Sequence, residues 1–395
     1  MQEASGYLLT IAFVLYLVAT LFFGASIRQK KAETIKNSSM IANVGITITI
    51  FACISHIISF ILRWIVGRYP PVSNMYEFTT FFGLMFIIAF IILFFIYRLN
   101  VLGLFTLPLV ALMIGFASMF SRDITPLAPS LNSNFLQIHV MLSALGQGIL
   151  AVSFVIAIIY LVKVVDQNVK SKKTFWLEAV LYTLFVTAGF IIATLSFNIV
   201  GGYSAVFQID NGEKYIEYRM PIILGPTEGV LVSETGSDPI MEAPSFIGNF
   251  VDANKINTFI WSLIFGTVLY IFVRLMTRKR FAAILQPYTK NIRADLLDEV
   301  CYRSVLIGYP IFTLGALIFG MIWAQLAWGS FWSWDPKEVW ALVSWLYYSV
   351  FLHLRLSRNW QGEKSAWLVI AGFALIIFNL VFVNFLLAGL HSYAA

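Results

Sequence analysis

Charge is what this chain lacks most. Only 12% of its 395 residues are Asp, Glu, Lys or Arg, against 59% hydrophobic, and its mean hydropathy is +0.83. Soluble globular domains carry about a quarter charged residues, so that class is excluded. Cysteine is nearly missing too. Cys53 lies inside an apolar run and Cys301 beside a charged loop, too far apart for a Cys-x-x-Cys redox pair, so both read as packing residues. There is no phosphate-binding glycine loop, no His-Glu-x-x-His and no nucleophile elbow. The opening Met-Gln-Glu-Ala-Ser-Gly lacks the basic region and cleavage site of a signal peptide, so the first apolar run reads as a retained helix. No internal repeat or low-complexity tract is evident.

What is present is a succession of apolar runs of about 20 residues, each long enough to cross a bilayer as a helix. Ten such spans are read at about 6–25, 40–62, 78–97, 100–119, 139–162, 174–197, 257–276, 305–325, 339–355 and 366–387. With the N-terminus placed outside, 19 Lys and Arg fall in inner loops and 7 in outer ones. That bias sets the orientation: both termini lie outside. The net charge of +6 follows this topology and gives no reason to invoke a nucleic-acid partner. The fold class is an all-α polytopic membrane protein with one external β-prone cap, at about residues 198–256. There Tyr203–Ile209, Tyr215–Met220 and Gly229–Val232 are separated by Asp-Asn-Gly and Gly-Pro-Thr turns. The cap shows no catalytic constellation. The inner stretch 277–304, with Leu285, Ile292, Leu296 and Leu297 among charges, reads as an amphipathic surface helix.

The densest signal is Trp328-Gly-Ser-Phe-Trp-Ser-Trp-Asp-Pro-Lys-Glu-Val-Trp340, four tryptophans and a phenylalanine within thirteen residues on the outer face. An interfacial aromatic belt needs only scattered rings. This run instead sets Gly and Pro among the rings, which suits a platform for a large planar ligand, built from Trp328, Phe331, Trp332, Trp334 and Asp335. Asp335 and Glu338 also suit helix capping, with Pro336 in a first-turn position and Lys337 as a counter-charge for an acidic ligand.

Four histidines occur in the chain. His139 opens the fifth span and His391 follows the tenth, both on the face of the aromatic run. Two imidazoles beside a ring platform suit haem, which offers two axial positions and a broad porphyrin face. His353 lies fifteen residues below Glu338, about 22 Å at the helical rise, so it cannot share that iron. It either snorkels towards the inner headgroups or ligates a second, deeper haem. His56 stands about 24 Å up from the inner side and reads as structural, helped by Ser55.

At these residues the chain resembles the CcsA/ResC family of cytochrome c biogenesis (the System II pathway), within the haem-handling group named for its tryptophan-rich WWD segment. The resemblance runs from Leu297 to Tyr393, including Arg358-Asn-Trp-Gln-Gly and Gly389-Leu-His-Ser-Tyr. It extends to Pro71-Val-Ser-Asn-Met-Tyr-Glu77 and Leu136-Gln-Ile-His-Val-Met-Leu-Ser. It is highly specific over the C-terminal hundred residues and fair over the first 160. It implies that His139 and His391 ligate the iron of haem b held by the WWD segment. It also implies that His353 ligates haem deeper in the bilayer, opposite a histidine of a CcsB/ResB-type partner subunit. Residues 1–173 would form an N-terminal five-helix region, 174–276 a two-helix insertion of the ResC type, and 277–395 the WWD-bearing region. Arg68 stands where many members have a histidine after Gly67, so no role is carried onto it.

The function so implied is haem transport and presentation by a subunit of a cytochrome c synthase, or haem lyase, in the cell membrane. Haem would be presented on the outer face to the Cys-x-x-Cys-His motif of apocytochrome c, with thioredoxin-like proteins keeping the thiols reduced. Two rival readings are weaker. An exporter of a small hydrophobic substrate would show inverted repeats and paired broken helices. A transmembrane electron carrier would need two deep histidines at matching depth, which His56 and His353 are not.

Overall fold

The computed structural model describes residues 1–28, 34–124, 133–200, 203–209, 214–227, 229–232, 238–244 and 253–383. Among them, ten helical spans are long and apolar enough to cross a membrane. In chain order the helices are α1 (Gln2–Arg28), α2 (Thr34–Gly67), α3 (Met75–Tyr97), α4 (Asn100–Ala117), α5 (Asn134–Val164) and α6 (Lys172–Val200). They continue with α7 (Ala253–Thr277), the short α8 (Phe281–Leu285), α9 (Ala294–Phe312), α10 (Gly320–Trp328), α11 (Pro336–Ser357) and α12 (Glu363–Phe378). A π-helical segment, Thr313–Phe319, joins α9 to α10 in one continuous span, and a second, Asn379–Val383, follows α12. The chain is an all-α polytopic membrane protein with a small β insertion.

The expected surface helix over 277–304 is instead broken. Only Phe281–Leu285 is α-helical, a 3-10 turn covers Gln286–Thr289, and α9 starts at Ala294. Pro287 has no backbone N–H to donate and disfavours a helical residue before it, which ends the short helix.

Two compact units are present, one of Met1–Leu177 with Ala282–Val381 and one centred on Glu178–Phe281. In the first, α5 is the hub, packing against α3, α4, α9, the first π segment, α10 and α12. Its burial follows from its small residues. A Cβ at Gly146 would stand 2.6 Å from the Phe312 backbone nitrogen, so only glycine lets α5 and α9 meet at this spacing. Pro310 removes one donor from α9 three residues before the helix widens into the π segment, the usual place for such a widening.

Buried polar networks tie the helix ends of this unit. Arg63 Nε donates to Glu77 Oε1 at 2.6 Å, with both side chains almost wholly covered. The second Glu77 oxygen accepts from the Ser73 backbone N–H at 2.9 Å and its hydroxyl at 2.7 Å, while Arg63 also donates to the Arg122 carbonyl at 2.7 Å. Tyr69 reaches Ser73, and burial pushes its phenol above the ordinary value. At the opposite end of the spans, Arg355 pairs with Asp298 at 2.7 Å. Charges taken from water persist only when paired and hydrogen-bonded, and both pairs meet that condition.

In the second unit, α6 and α7 cross backbone to backbone, a Cβ on Gly189 falling 2.3 Å from the Gly266 nitrogen. The expected strand pieces form β1 (Ala205–Ile209), β2 (Lys214–Tyr218) and β4 (Val230–Leu231), in the order β2-β1-β4 with antiparallel pairing. A parallel pair, β3 (Leu224–Gly225) and β5 (Met241–Glu242), was not expected from the sequence. Asn257, fully buried at the start of α7, accepts from the Ile223 N–H at 2.9 Å and donates to the Pro221 carbonyl at 3.1 Å, fastening the β segment to the helix.

Glu77→Gln is expected to leave the Arg63 charge buried without its counter-ion, at a cost of about 3–5 kcal/mol. The measurement is the thermal or denaturant midpoint of the purified protein. A midpoint equal to that of the unsubstituted chain would show that the network is not holding α2 to α3.

A candidate haem-handling site around His139 and the tryptophan loop

His139 sits near the start of α5, which is capped by Ser133 through its hydroxyl accepting from the Leu136 N–H. Its Nδ1 lies 2.9 Å from the Gly315 carbonyl, in the π segment. A carbonyl only accepts, so Nδ1 carries the proton and the neutral ring's basic lone pair is on Nε2. The imidazole stacks on Trp323 of α10, with centroids 5.9 Å apart and planes 11° from parallel. The approach depends on missing side chains. A Cβ on Gly320 would stand 3.1 Å from the imidazole, and one on Gly315 only 2.3 Å from the Ser143 nitrogen. Residues Gly315, Gly320 and Trp323 were not singled out in the sequence. The available signal was a pair of isolated glycines within a helical pattern.

Trp323 is buried and meets Trp328 edge to face at 6.1 Å. Helix α10 stops at Trp328 because Gly329 adopts φ 74°, the left-handed cap, and donates to the Gln325 carbonyl at 3.1 Å. The loop then places Trp332 and Trp334 edge to face at 6.1 Å. Large rings stand open here: Phe331 is 60% and Trp334 70% exposed. Trp334 has φ 61°, a conformation that costs a bulky L-residue on the order of 1–2 kcal/mol.

The neighbouring residues hold Trp334 in that conformation. Asp335, almost wholly covered, caps α11 by accepting from the Lys337 N–H at 2.9 Å. Glu338 accepts from the Ser333 N–H at 2.8 Å and hydroxyl at 3.1 Å, a variant of the capping box. The expected capping role of Asp335 and Glu338, with Pro336 in the first turn, is therefore what the structure contains. Trp340, one turn into α11, packs on Phe378 of α12 at 4.5 Å.

The other histidines differ sharply. His391 lies outside the described residues. His353 is exposed near the end of α11, with the Ser357 hydroxyl 3.5 Å from its Nδ1. The buried face of α11 is Ser344, Tyr348, Phe351 and Arg355. At about 100° per residue His353 stands on the opposite side of the helix from that face. His56 is 2% exposed, with its ring edge-on to Tyr16 and the Tyr16 hydroxyl 3.5 Å from Nδ1. Ser55, expected to help it, donates instead to the Leu8 carbonyl at 2.8 Å, so the polar company of His56 is Tyr16 of α1 and the Thr80 backbone of α3. Arg68, to which no role was carried, has φ 62° just past the end of α2.

These features define a class: a polytopic membrane protein with an oriented helix-end imidazole beside an open, strained tryptophan loop. Comparison with known proteins narrows it. The family model for the cytochrome C assembly protein matches residues 257–391. The cytochrome c biogenesis protein CcsA of Cyanophora paradoxa is 29% identical over 97% of this chain and 95% of its own length. The CcsA of Nostoc punctiforme is 30% identical over 84% of this chain and 82% of its own, and that of a Synechococcus species 26% identical over 97% and 93%. The chain belongs to the CcsA family of cytochrome c biogenesis proteins.

Gly315→Ala is expected to force α5 away from the π segment, lower stability by about 1–3 kcal/mol and release the His139 Nδ1 proton from its carbonyl. Imidazole nitrogen NMR on histidine-labelled protein checks this. A single Nδ1-protonated signal for His139 should become a mixture of tautomers, and an unchanged signal would count against the packing argument.

Proposed function

We propose that this chain carries haem across the membrane and presents it, at the end of the bundle bearing His139 and the tryptophan loop, for covalent attachment to apocytochrome c. The observation that carries this reading is the His139 environment. A backbone carbonyl fixes the ring's tautomer and Trp323 fixes its plane, which is how axial histidines are pre-set for iron through Nε2. Membership of a cytochrome c biogenesis family implies haem handling, and haem b is the form with both vinyl groups still available for attachment. We assign His391 as the second residue that would hold the iron and Trp328, Phe331, Trp332, Trp334 and Asp335 as the surrounding platform.

The chain's own residues contribute positioning. His139 and His391 would hold the iron and favour its reduced state, and the exposed loop rings would supply apolar contact to the porphyrin. Haem so held would offer its vinyl groups to the thiols of a Cys-x-x-Cys-His motif, each S–H adding across one C=C, and this chain's contribution would be orientation. His353, exposed on the outward side of α11, is assigned to a deeper haem whose opposite ligand comes from a CcsB/ResB-type subunit, because its face is open to a partner. Thioredoxin-like reductants would keep the apocytochrome thiols available. We assign the chain to the cell membrane with presentation on the outer face, an orientation supported by the 19-to-7 distribution of basic residues. The two-helix region 174–276 is assigned as an accessory insertion, a reading supported by the compactness of Glu178–Phe281.

His139→Ala or His391→Ala should lose a bis-imidazole haem spectrum or leave haem readily oxidised, while the protein still accumulates in the membrane. Added imidazole should restore part of the spectrum by filling the vacated position. If both single variants kept the unaltered spectrum and normal cytochrome c maturation, the outer-ligand assignment would fall.

His353→Ala should cut the haem reaching the outer site, in a manner that depends on the co-expressed partner subunit. His56→Ala should act only through stability, since that ring is enclosed by protein. Haem content and cytochrome c yield decide between them. Loss of haem with His56→Ala and none with His353→Ala would move the deep site to α2.

A further inference from the structure

The Arg358-Asn-Trp-Gln-Gly stretch between α11 and α12 is given no role in holding haem, yet its backbone is tightly constrained. Asn359 and Gly362 adopt φ 51° and 67°, two left-handed residues within four. The loop is held from beneath by the buried pair described above. The Gly362 N–H donates to Asp298 Oδ1 at 2.9 Å, and Arg355 donates to the Trp360 carbonyl at 3.4 Å as well as pairing with Asp298 at 2.7 Å. A buried ion pair that anchors a strained surface loop is a costly way to make a simple connection.

The loop walls a groove of about 660 Å³ with Lys173, Arg358, Trp360, Glu363, Lys364 and Trp367 in its lining. Its one carboxylate is already engaged: Glu363 accepts from Lys173 at 2.8 Å and from Trp367 Nε1 at 3.3 Å. Arg358 and Lys364 are both exposed and have no carboxylate partner among the described ion pairs, Lys364 lying 5.4 Å over the Trp360 ring. Three cations face one carboxylate, so the groove keeps two net positive charges beside two indole rings. The distribution of basic residues puts this loop on the inner side, where anionic lipid headgroups face the protein and indoles favour headgroup depth.

We propose that this groove is a specific site for the phosphate of an anionic phospholipid of the inner leaflet, taken by Arg358 and Lys364 with its glycerol region against Trp360 and Trp367. The chemistry is that of a phosphate ester, for which a guanidinium fork and an ammonium are suited donors. Haem carboxylates are the less favoured occupant. His353 projects from the side of α11 opposite Arg355, whereas Arg355 is the residue that holds the groove's loop. The site goes beyond haem delivery and depends only on the inward placement of the loop.

The test is native mass spectrometry of the full-length protein released from nanodiscs of phosphatidylglycerol mixed with phosphatidylcholine. Retention of phosphatidylglycerol over phosphatidylcholine is expected. Arg358→Gln with Lys364→Gln should lower that preference about 30-fold, the combined effect of two cations at a charged headgroup. The swap Arg358→Lys with Lys364→Arg should keep most of it. Lys279→Gln with Lys290→Gln, the same charge removed elsewhere on the inner side, should keep all of it. Equal retention in the first pair, or equal loss in the last, overturns the proposal.

Two further arms identify the source of the anion. Displacement of the lipid by inorganic phosphate as readily as by added phosphatidylglycerol would mean a free-phosphate site. Displacement by haem but not by its dimethyl ester would mean a propionate site. Either result overturns the lipid assignment. The readout is lipid retention, so it stands apart from the His139 and His391 spectra. Retained lipid with unaltered spectra and normal maturation in both histidine variants would sink the outer-ligand assignment alone, and the reverse pattern would sink only this proposal.

Discussion

The structure depends on how closely α5 can approach the span formed by α9, the π segment and α10. At Gly146 and Gly315 the two backbones touch, with no room for a Cβ on either glycine. Without a hydrophobic driving force in lipid, such contact is what gives one helix a unique position against another. Because α5 also carries His139, the same contact that sets the core sets the imidazole. The Gly315 carbonyl accepts the Gly320 N–H within the widened turn and also faces the His139 imidazole, so the π segment and the ring share one acceptor. Packing and site are here one constraint.

The two ends of the spans show a second theme. Each carries a buried arginine–carboxylate pair whose remaining hydrogen bonds run to loop backbone: Arg63–Glu77 to Ser73 and the Arg122 carbonyl, Arg355–Asp298 to Trp360 and Gly362. Such pairs add little net stability compared with apolar packing, but they are strongly directional. Here they fix the course of loops that hydropathy leaves undetermined. The tryptophan loop is fixed by different means, with caps at Asp335 and Glu338 holding Trp334 in a left-handed conformation. A strained residue in an open aromatic loop is the kind of outlier that marks a functional surface.

The contrast among the histidines carries most of the functional argument. His139 is oriented by a carbonyl and a stacked indole, His353 is open on the outward side of its helix, and His56 is enclosed. Burial and orientation, more than residue type, separate a ligand candidate from a packing residue in an apolar interior.

Much of this was legible in the sequence. A bilayer demands runs of about 20 apolar residues, so the ten spans could be read from hydropathy alone. The tryptophan run and the capping roles of Asp335 and Glu338 are local in sequence and were read locally. What only the tertiary structure decided spans long separations. His139 meets Gly315 across 176 residues, Arg63 meets Glu77 and the Arg122 carbonyl, and Trp323 becomes the indole under His139. Hydropathy fixes which segments enter the membrane but is nearly indifferent to which helix faces meet there. That choice rests on the absence of single Cβ atoms and the exact depth of each turn, and both become visible only once the helices are placed side by side.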